Sequence, residues 1–353
     1  MNDERSFPDA TRKAINLIGG MKTVVKAGDK VIVKPNFFGP RPAYEGATTN
    51  LGIVREILEE VIECGTRPIL AEGPFRFYNA NFVFKKLGVK EMAHSLGIDF
   101  INLNEAESME VDVPNGKALK RTRIPRIVLE ADVLINVPKI KTHHLTTVTL
   151  GMKNLKGVLP SDEKQKSHVC GIHQSIVDIN KLVRSSLIVV DGTVSMEGSG
   201  PTFGDPVKLG IIVAGKNVVA VDTVCCRIMG IEPKEVEHIR LAYEDGLCSG
   251  NIESFGEPLA AVQRKFEFPQ ESKTYLFFHD AVEKLDHTLY DLSGKRIFPF
   301  LSAWIGKRPR INEKVCTKCG ICEKVCIVNP PAINFHIGKI DYQRCIDLSL
   351  IHI

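Results

Sequence analysis

The first half of the chain alternates short apolar runs with amphipathic segments. A β-branched run from Lys30 to Phe37 predicts a strand, and apolar residues at helical spacing predict a helix from Asn50 to Cys64, which Gly65 ends. The same pattern then predicts a strand, a helix and a strand over residues 68–71, 80–96 and 99–103. Strands that alternate with helices in this way predict a parallel sheet covered by helices.

The second half continues this alternation after a strand-rich stretch. Residues 111–137 carry strand signals and close with ADVLINV, a buried strand that Pro138 interrupts. The pattern then predicts a helix, two strands separated by a glycine-rich loop, and a helix, at about residues 174–183, 187–192, 209–215 and 221–229. We therefore predict an α/β fold with a mostly parallel sheet and helices on both faces.

Three regions differ in pattern and predict the domain organisation. Residues 1–250 carry the α/β alternation, whereas residues 251–310 lack clear periodicity and are predicted to be a connecting segment with some helix. Residues 311–353 are short and rich in cysteine, proline and isoleucine, and we expect them to form a small ferredoxin-like iron–sulfur module.

Composition and charge narrow the class of protein. The chain has 353 residues, of which 44% are hydrophobic and 25% charged, which is typical of globular proteins. Its 46 basic and 42 acidic residues give a formal charge of +4, too small for a dedicated nucleic-acid or membrane-surface protein, so we expect neither partner. The sequence has no apolar stretch of the ~18 residues that a membrane helix needs and no signal-peptide pattern at its start, so we expect a cytoplasmic protein.

The cysteines carry the most specific motif. Half of the ten cysteines lie between Cys316 and Cys345, and four of them follow the spacing Cys-x2-Cys-x2-Cys-x3-Cys: Cys316, Cys319, Cys322 and Cys326. This spacing lets three thiolates surround one corner of a cubane cluster while the fourth points elsewhere. Zinc sites usually pair two separated Cys-x2-Cys knuckles, so zinc or a purely structural cysteine cluster fits the triplet less well. We predict a 4Fe-4S cluster as the cofactor.

The module resembles the domain of bacterial two-cluster ferredoxins, including Gly320 after the second cysteine and the apolar stretch from Val328 to Ile333. In that family the fourth cysteine serves a second cluster and precedes a proline, a position that Ile327 takes here. The resemblance implies one or two clusters, with Cys345 as a further ligand. Because five module cysteines cannot ligate two cubanes, we expect the complete protein to extend beyond CIDLSLIHI.

Polar and basic residues gather after the predicted strands of the α/β domain. Lys34 and Asn36 end the first strand, Asp191 ends a later one, and five basic side chains follow the strand that Pro138 interrupts: Lys139, Lys141, His143, Lys153 and Lys156. Open α/β sheets bind ligands at strand ends, and clustered ammonium groups suit a phosphate or carboxylate. Solvated loop lysines are the alternative interpretation. His143 is the candidate proton donor, since an ordinary histidine has a pKa of ~6.5.

Three long motifs resemble the family catalogued as domain of unknown function 362. They are KPNF at 34–37, NVPKIKTHHLTTVTLGMKNLKG at 136–157 and VDGTVSMEGSGPTFGDP at 190–206. The resemblance implies an α/β domain that often carries a ferredoxin module, and it implies a strand before the first helix, so the N-terminus is also expected to be incomplete. The candidate substrate or anion contacts in these motifs also include Asn154, Asp191 and Glu197. Glu197 beside Asp191 is a candidate carboxylate for proton transfer or metal contact, and an ordinary surface turn is the alternative interpretation.

Other chemistry-bearing residues have simpler interpretations. His168, Cys170 and His173 are close in sequence, but their spacing matches no standard metal site and favours roles at a helix start. Asp222 opens a predicted helix, where a capping role is expected. Three further cysteines lie on apolar helical patterns and are expected in the core: Cys64, Cys225 and Cys226.

These features lead to one principal hypothesis and two alternatives. The principal one is a redox enzyme whose iron–sulfur module passes electrons to an anionic substrate or cofactor bound by the α/β domain, with a redox protein as partner. The first alternative is a non-catalytic electron carrier or docking module. The second is a non-redox enzyme whose clusters only stabilise the fold.

Overall fold

A computed structural model describes residues 6–75, 78–202, 204–268, Gly320, Glu323, Ile333, Asn334 and 339–341 of the chain. The chain divides into two compact units, Met1–Phe75 with Val83–Gln270 and Arg76–Phe82 with Glu271–Ile353. The first unit contains the large sheet and the candidate site. In the second unit the described strands are β11 and β12, which pair antiparallel over Ile333–Asn334 and Lys339–Ile340.

Helices alternate with strands through most of the first unit. The described helices are α1 Ser6–Leu17, α2 Leu51–Glu63, α3 Ala80–Leu87, α4 Val89–Ser95, α5 Arg126–Leu129, α6 Gly151–Asn154, α7 Ser161–Val169, α8 Ile172–Leu182, α9 Val218–Ile228, α10 Glu237–Glu244 and α11 Leu259–Val262. The described strands are β1 Val31–Pro35, β2 Ile69–Glu72, β3 Asp99–Asn102, β4 Ser108–Asp112, β5 Arg121–Pro125, β6 Val133–Val137, β7 Lys139–His143, β8 Thr147–Thr149, β9 Leu187–Glu197 and β10 Asp205–Gly215.

Eight strands form one sheet in the order β3-β2-β1-β6-β9-β7-β8, with β10 joined to β9. Every pairing from β3 through β1 and β6 to β9 and β7 is parallel, and only β8 and β10 pair antiparallel. The predicted α/β fold with a mostly parallel sheet is confirmed. Strands β4 and β5 form a separate antiparallel pair, in agreement with the strand signals before β6.

Both faces of the sheet are covered. All five residues of β1 and all five of β6 are buried, although neighbouring side chains of a strand point to opposite faces. Helix α2 packs against β1. One apolar cluster joins Ile32 and Leu134 to Ile179 of α8, and another joins Ile188 to Val219 of α9. The central strands are therefore held between apolar layers, which fixes the position of the side chains at their ends.

Three sequence predictions differ from the structure. The helix predicted over residues 80–96 is two helices, because Gly88 between them has a left-handed φ of +72°. The glycine-rich loop after residue 192 is instead a continuation of β9 to Glu197, which pairs with an antiparallel β10. The last predicted helix begins three residues earlier, at Val218, where the side chain of Asn217 accepts a hydrogen bond from Ala220 N at 3.0 Å.

The segment after Pro138 is also a strand rather than a loop. Both β6 and β7 pair in parallel with β9, and their partners advance from Leu187 to Met196, so β7 continues the direction of β6 beyond the proline. Proline removes one donor from the ladder, which interrupts the strand without ending it. Alternate residues of β7 share one face, so this strand places Lys139, Lys141 and His143 on the same side of the sheet.

Candidate functional site

Two of the predicted lysines form buried ion pairs. Lys34 Nζ at the end of β1 donates to Glu72 Oε2 on β2 at 3.0 Å, and Glu72 Oε2 also accepts from Phe37 N at 3.0 Å. Lys139 Nζ on β7 donates to Asp191 Oδ2 on β9 at 2.7 Å, and both side chains are fully buried. Burial lowers the pKa of both ammonium groups, and the paired carboxylates oppose that shift. These pairs hold neighbouring strands together.

An amide network links the ends of β1 and β6 to helix α6. Asn154 Oδ1 accepts from Asn36 Nδ2 at 3.0 Å and from Lys34 Nζ at 3.3 Å. Asn154 Nδ2 donates to Asn136 Oδ1 at 2.8 Å. The structure therefore brings together Lys34, Asn36 and Asn154, which the sequence analysis selected from separate motifs.

Lys141 is buried without a carboxylate partner among the described residues. Its Nζ donates to Ala47 O at 2.9 Å and to Asn36 Oδ1 at 3.2 Å, and it lies 4.0 Å from the centre of the Phe38 ring. Burial lowers the pKa of Lys141 well below its ordinary value, and the nearby charge of Lys153 lowers it further. The amine is thus retained by neutral acceptors and an aromatic face rather than by a counter-charge.

Lys153 and Lys156 make no hydrogen bond or ion pair with any described residue. Lys156 is only 8% exposed, and Lys153 is partly exposed. Burial lowers the pKa of Lys153 to about 8, and burial together with the charges of Lys153 and Lys164 lowers the pKa of Lys156 well below its ordinary value. An ammonium group that is removed from water without a hydrogen-bond or charge partner is costly, which is the physical cause of both lowered pKa values.

Lys164 of α7 belongs to the same cluster, although the sequence analysis did not select it. Its Nζ donates to Gly73 O and to Asn104 Oδ1, each at 2.7 Å. Burial lowers its pKa to about 7. We call the six lysines that influence one another's charge here the lysine cluster: Lys34, Lys139, Lys141, Lys153, Lys156 and Lys164.

The lysine cluster has more basic groups than acidic ones. Within the described part of the chain, Glu72 and Asp191 form ion pairs with Lys34 and Lys139, and no carboxylate pairs with the other four lysines. Uncharged amines or a bound anion are the two ways to avoid uncompensated buried charge. Because an anion stabilises the charged form of a nearby amine, the lysine cluster suits an anionic ligand.

His143 lies at the end of β7, beside the lysine cluster. Its Nδ1 accepts hydrogen bonds from Leu145 N at 3.0 Å and from Thr146 N at 3.4 Å, so the proton of the neutral ring is on Nε2. Burial and the charge of Lys153 lower the pKa of His143 well below 6.5. The ordinary pKa that the sequence analysis assumed does not apply, and His143 offers a neutral Nε2–H donor rather than an imidazolium acid.

The short helix α6 that carries Lys153 is held from three sides. Asp222 of α9 accepts hydrogen bonds from Gly151 N at 2.7 Å and from Met152 N at 2.8 Å. Asn136 Nδ2 donates to Gly151 O at 2.9 Å, and Asn180 Nδ2 of α8 donates to Met152 O at 3.0 Å. Asp222 is therefore a cap, as expected, but it caps α6 rather than the helix on which it lies. Burial raises the pKa of its carboxyl to about 7.

Gly157 allows the backbone after α6 to approach the Lys34–Glu72 pair. A Cβ at this position would lie 2.7 Å from Lys34 Nζ and 2.8 Å from Glu72 Oε1, which are distances that no side chain tolerates. The glycine thus has a specific role that its sequence context did not distinguish from an ordinary loop position.

Glu197 does not join the lysine cluster. Its carboxylate lies at the far end of β9, where it accepts from Glu267 N at 3.0 Å and lies 3.4 Å from Arg264. His168 ends α7, and His173 lies in the first turn of α8 with its Nε2 3.5 Å from Glu237. Cys225 and Cys226 are buried in the apolar core, and burial raises the pKa of both thiols.

The predicted iron ligands lie outside the described residues: Cys316, Cys319, Cys322, Cys326 and Cys345. Between the first cysteines, Gly320 is described and has a left-handed φ of +73°. In the described part of the chain, His, Cys, Asp and Glu form no group of three or more suited to a metal ion. No described helix is both long enough and apolar enough to cross a membrane.

The sequence analysis missed three functional partners for different reasons. Glu72 directly follows the strand predicted over residues 68–71, so the expectation that functional residues lie at strand ends would also have selected it. Lys164 lies in the polar segment SDEKQKSHV, whose composition predicts a solvent-exposed helix. The role of Asp222 depends on a contact with residues about 70 positions earlier, which no local pattern encodes.

Three comparisons place the chain among known proteins. The profile of the family described as "Domain of unknown function (DUF362)" matches residues 31–227. A thylakoid-associated protein of Synechocystis sp. is 30% identical over 232 residues, which are 64% of this chain and 70% of that protein. The lactate racemase apoprotein of Thermoanaerobacterium thermosaccharolyticum is 17% identical with a TM-score of 0.44, over 64% of this chain and 55% of the racemase. That likeness carries no information about activity.

Proposed function

The chain belongs to the DUF362 family, and we propose that it is an iron–sulfur redox protein that binds an anionic ligand at its lysine cluster. The observation that carries the ligand part is that the amines of Lys153 and Lys156 have no hydrogen-bond or ion-pair partner among the described residues. The cysteine spacing supports the redox part, since three thiolates at this spacing bind one cubane cluster. We place the protein in the cytoplasm, with a redox protein as its electron donor or acceptor.

The balance of charge supports an anion rather than a neutral ligand. A carboxylate or phosphoryl group placed between Lys153 and Lys156 would supply the counter-charge that no described residue provides. The ion pairs of Lys34 and Lys139 are already complete, so these lysines frame the site without being free for a ligand. The Nε2–H of His143 adds a neutral donor to the same neighbourhood.

The left-handed conformation of Gly320 supports the cluster proposal. A glycine between the second and third cysteines lets the backbone turn within the short spacing that a cubane requires. The bound cluster would supply one-electron chemistry, which the side chains of the lysine cluster cannot perform.

Titration with inorganic phosphate tests the ligand part. We expect the full chain to bind phosphate in a calorimeter, and Lys153→Met to weaken this binding at least about tenfold, because a hydrogen bond to a charged group contributes ~1.5–3 kcal/mol. Lys208→Met is the matched control, since Lys208 is exposed on β10. Equal phosphate affinity of the Lys153 and Lys208 variants would refute an anion site at the cluster.

Anaerobic purification tests the redox part. We expect a brown protein in which iron and sulfide are present in equal amounts, at about four irons per chain for one cluster and about eight for two. Zinc in place of iron would refute the redox proposal and leave the anion site standing. An intact cluster whose reduction is unaffected by Lys153→Met would favour the non-catalytic electron carrier.

A further inference from the structure

We propose that the ligand is an oxo acid and that Lys153 condenses with its carbonyl group to form an imine. This inference rests on the proposed anion site and names the class of its ligand. It assigns different tasks to lysines that the sequence presents as equivalent. Lys153 supplies the nucleophilic amine, and its basic neighbours bind the carboxylate.

Within the part of the chain that the structure describes, Lys153 is the lysine of the cluster that combines partial exposure with the absence of a hydrogen-bond or ion-pair partner. Lys141 is 1% exposed and its Nζ is held by Ala47 O and Asn36 Oδ1, so its amine is already used. Lys156 also lacks a partner but is more deeply buried than Lys153. An amine attacks a carbonyl through its lone pair, which a hydrogen-bonded or ion-paired ammonium does not offer.

The burial of Lys153 makes its free amine more available than that of an exposed lysine, because burial lowers its pKa. Lys141, Lys156 and His143 are each close enough for the charge of Lys153 to affect their titration. Burial disfavours the ammonium ion of Lys153, and desolvation is one way in which enzymes activate an amine for carbonyl chemistry. With a pKa of about 8, Lys153 is mostly protonated at pH 7 and about half free amine at pH 8.

The backbone beneath Lys153 is fixed, which limits the reach of its amine to a small region. Asp222 holds two amides of α6, and Asn136 and Asn180 hold two of its carbonyl groups. Such clamping of both donors and acceptors is unusual for a four-residue helix, whose ends are otherwise unsatisfied. A rigid platform of this kind holds a nucleophile in place relative to a bound carbonyl.

The chemical step balances without an added oxidant or reductant. The neutral amine of Lys153 adds to the carbonyl carbon, and the carbonyl oxygen takes a proton to give a carbinolamine. The hydroxyl group then takes one proton from solvent and leaves as water, which gives the iminium ion, and release of the remaining N–H proton to solvent gives the neutral imine. The carboxylate of the oxo acid stays ionised and lies against Lys156.

Reductive trapping tests the proposal on the full chain. The protein is incubated with glyoxylate, pyruvate or 2-oxoglutarate and sodium cyanoborohydride, and the adducts are located by peptide mass spectrometry. We expect at least one of these acids to modify Lys153 in preference to exposed lysines, with inorganic phosphate suppressing the reaction. Lys153→Arg, which keeps the charge but removes the nucleophile, should lose this adduct, whereas Lys208→Arg should retain it.

Two results would overturn the imine. One is an adduct spread over exposed lysines with no preference for Lys153, and the other is no adduct at Lys153 with any of the three acids. Phosphate titration of the same unmodified preparation separates this failure from that of the proposed function. Phosphate binding without an adduct removes the imine alone, and the absence of both removes the anion site as well.

Discussion

The carboxylate of Asp222 holds the backbone amide of Gly151 at 2.7 Å, which joins helix α9 to the short helix that carries Lys153. The second oxygen of Asp222 accepts from Met152 N at 2.8 Å. The contact places an acidic side chain, fully buried, at the N-terminus of α6, where partial positive charge from the backbone favours an acceptor. The position of Lys153 in the lysine cluster therefore depends on a carboxylate from a different helix.

Asp222→Asn should lower stability and weaken phosphate binding together. Asparagine has one acceptor oxygen, so either Gly151 N or Met152 N loses its partner, at a cost of ~1–3 kcal/mol for a buried unsatisfied donor. Urea unfolding and phosphate calorimetry measure the two effects. Lys208→Gln, on the exposed side of β10, is the control for a general loss of stability. A stable variant with unchanged phosphate affinity would show that α6 does not need its cap.

Because Asp222 titrates, the difference in stability between the wild type and Asp222→Asn should depend on pH. Because its folded pKa of about 7 lies above the ~3.9 of an unfolded aspartate, the folded state binds more protons between these values. The contribution of this group is fully present below ~3.9 and is lost as the pH rises through about 7. We expect unfolding curves of wild type and Asp222→Asn to differ in their slope against pH across this window. Parallel slopes would contradict the raised pKa.

Removing only the carboxylate of the Lys34–Glu72 pair should lower the free energy of unfolding more than removing both charges. Glu72→Gln leaves Lys34 buried without its counter-charge, which destabilises proteins by ~3–5 kcal/mol. The double variant Lys34→Met with Glu72→Gln removes both charges, so we expect it to be more stable than Glu72→Gln alone. Chemical unfolding of the four proteins in this cycle measures the coupling. Additive effects would mean that the two charges do not interact.

Gly157→Ala should disturb the Lys34–Glu72 ion pair, because the added methyl group would extend from the backbone into it. The new Cβ would lie 2.7 Å from Lys34 Nζ and 2.8 Å from Glu72 Oε1, so the ion pair or the backbone must move. Gly210→Ala is the matched control, because its φ of +70° costs ~1–2 kcal/mol of strain but its Cβ would meet nothing within 4 Å. We expect Gly157→Ala to be the more destabilised of the two in thermal unfolding, and the reverse order would exclude a tight approach at Gly157.

Much of the α/β architecture could be predicted from the sequence, because apolar periodicity reports which face of an element is buried. Helix α2 was predicted over residues 50–64 and spans Leu51–Glu63, so both ends were predicted to within a residue. Strand direction is not encoded in periodicity, which is why the antiparallel return of β10 was missed. The alternation in KIKTH did carry a strand signal at Lys139–His143, but Pro138 before it suggested a loop.

The candidate site was predictable only in part. The rule that open α/β sheets bind ligands at strand ends locates residues in the sequence, but it does not show which side chains contact one another. The rule located Lys34 and Lys141, yet the first has a carboxylate partner and the second has none among the described residues. That difference depends on Glu72, which lies 38 positions from Lys34 and contacts it through the parallel pairing of β1 and β2. The functional distinction between paired and unpaired lysines therefore arises in the tertiary structure.

His143 should remain neutral at a pH where free histidine is half protonated. Burial and neighbouring positive charge lower its pKa well below 6.5, and its Nδ1 is occupied by backbone donors. Nitrogen NMR of histidine-labelled protein should show one ring with the proton on Nε2 that does not titrate between pH 6 and 8. Comparison with His143→Gln assigns the signal. A ring that titrates with an ordinary midpoint would restore His143 as an imidazolium acid.

When an anion binds, the amines of the lysine cluster should take up protons from solution. Lys153 has a pKa of about 8 and Lys164 of about 7, and an anion stabilises the charged form of each amine that it reaches. Affinity for sulfate, whose own charge is constant in this range, should fall as the pH rises above about 8, where unliganded Lys153 has lost its proton. Near pH 8, calorimetry in buffers of different ionisation enthalpy should report net proton uptake on sulfate binding. Lys153→Arg stays charged, so it should take up fewer protons; equal uptake by both proteins would place the titration on other residues.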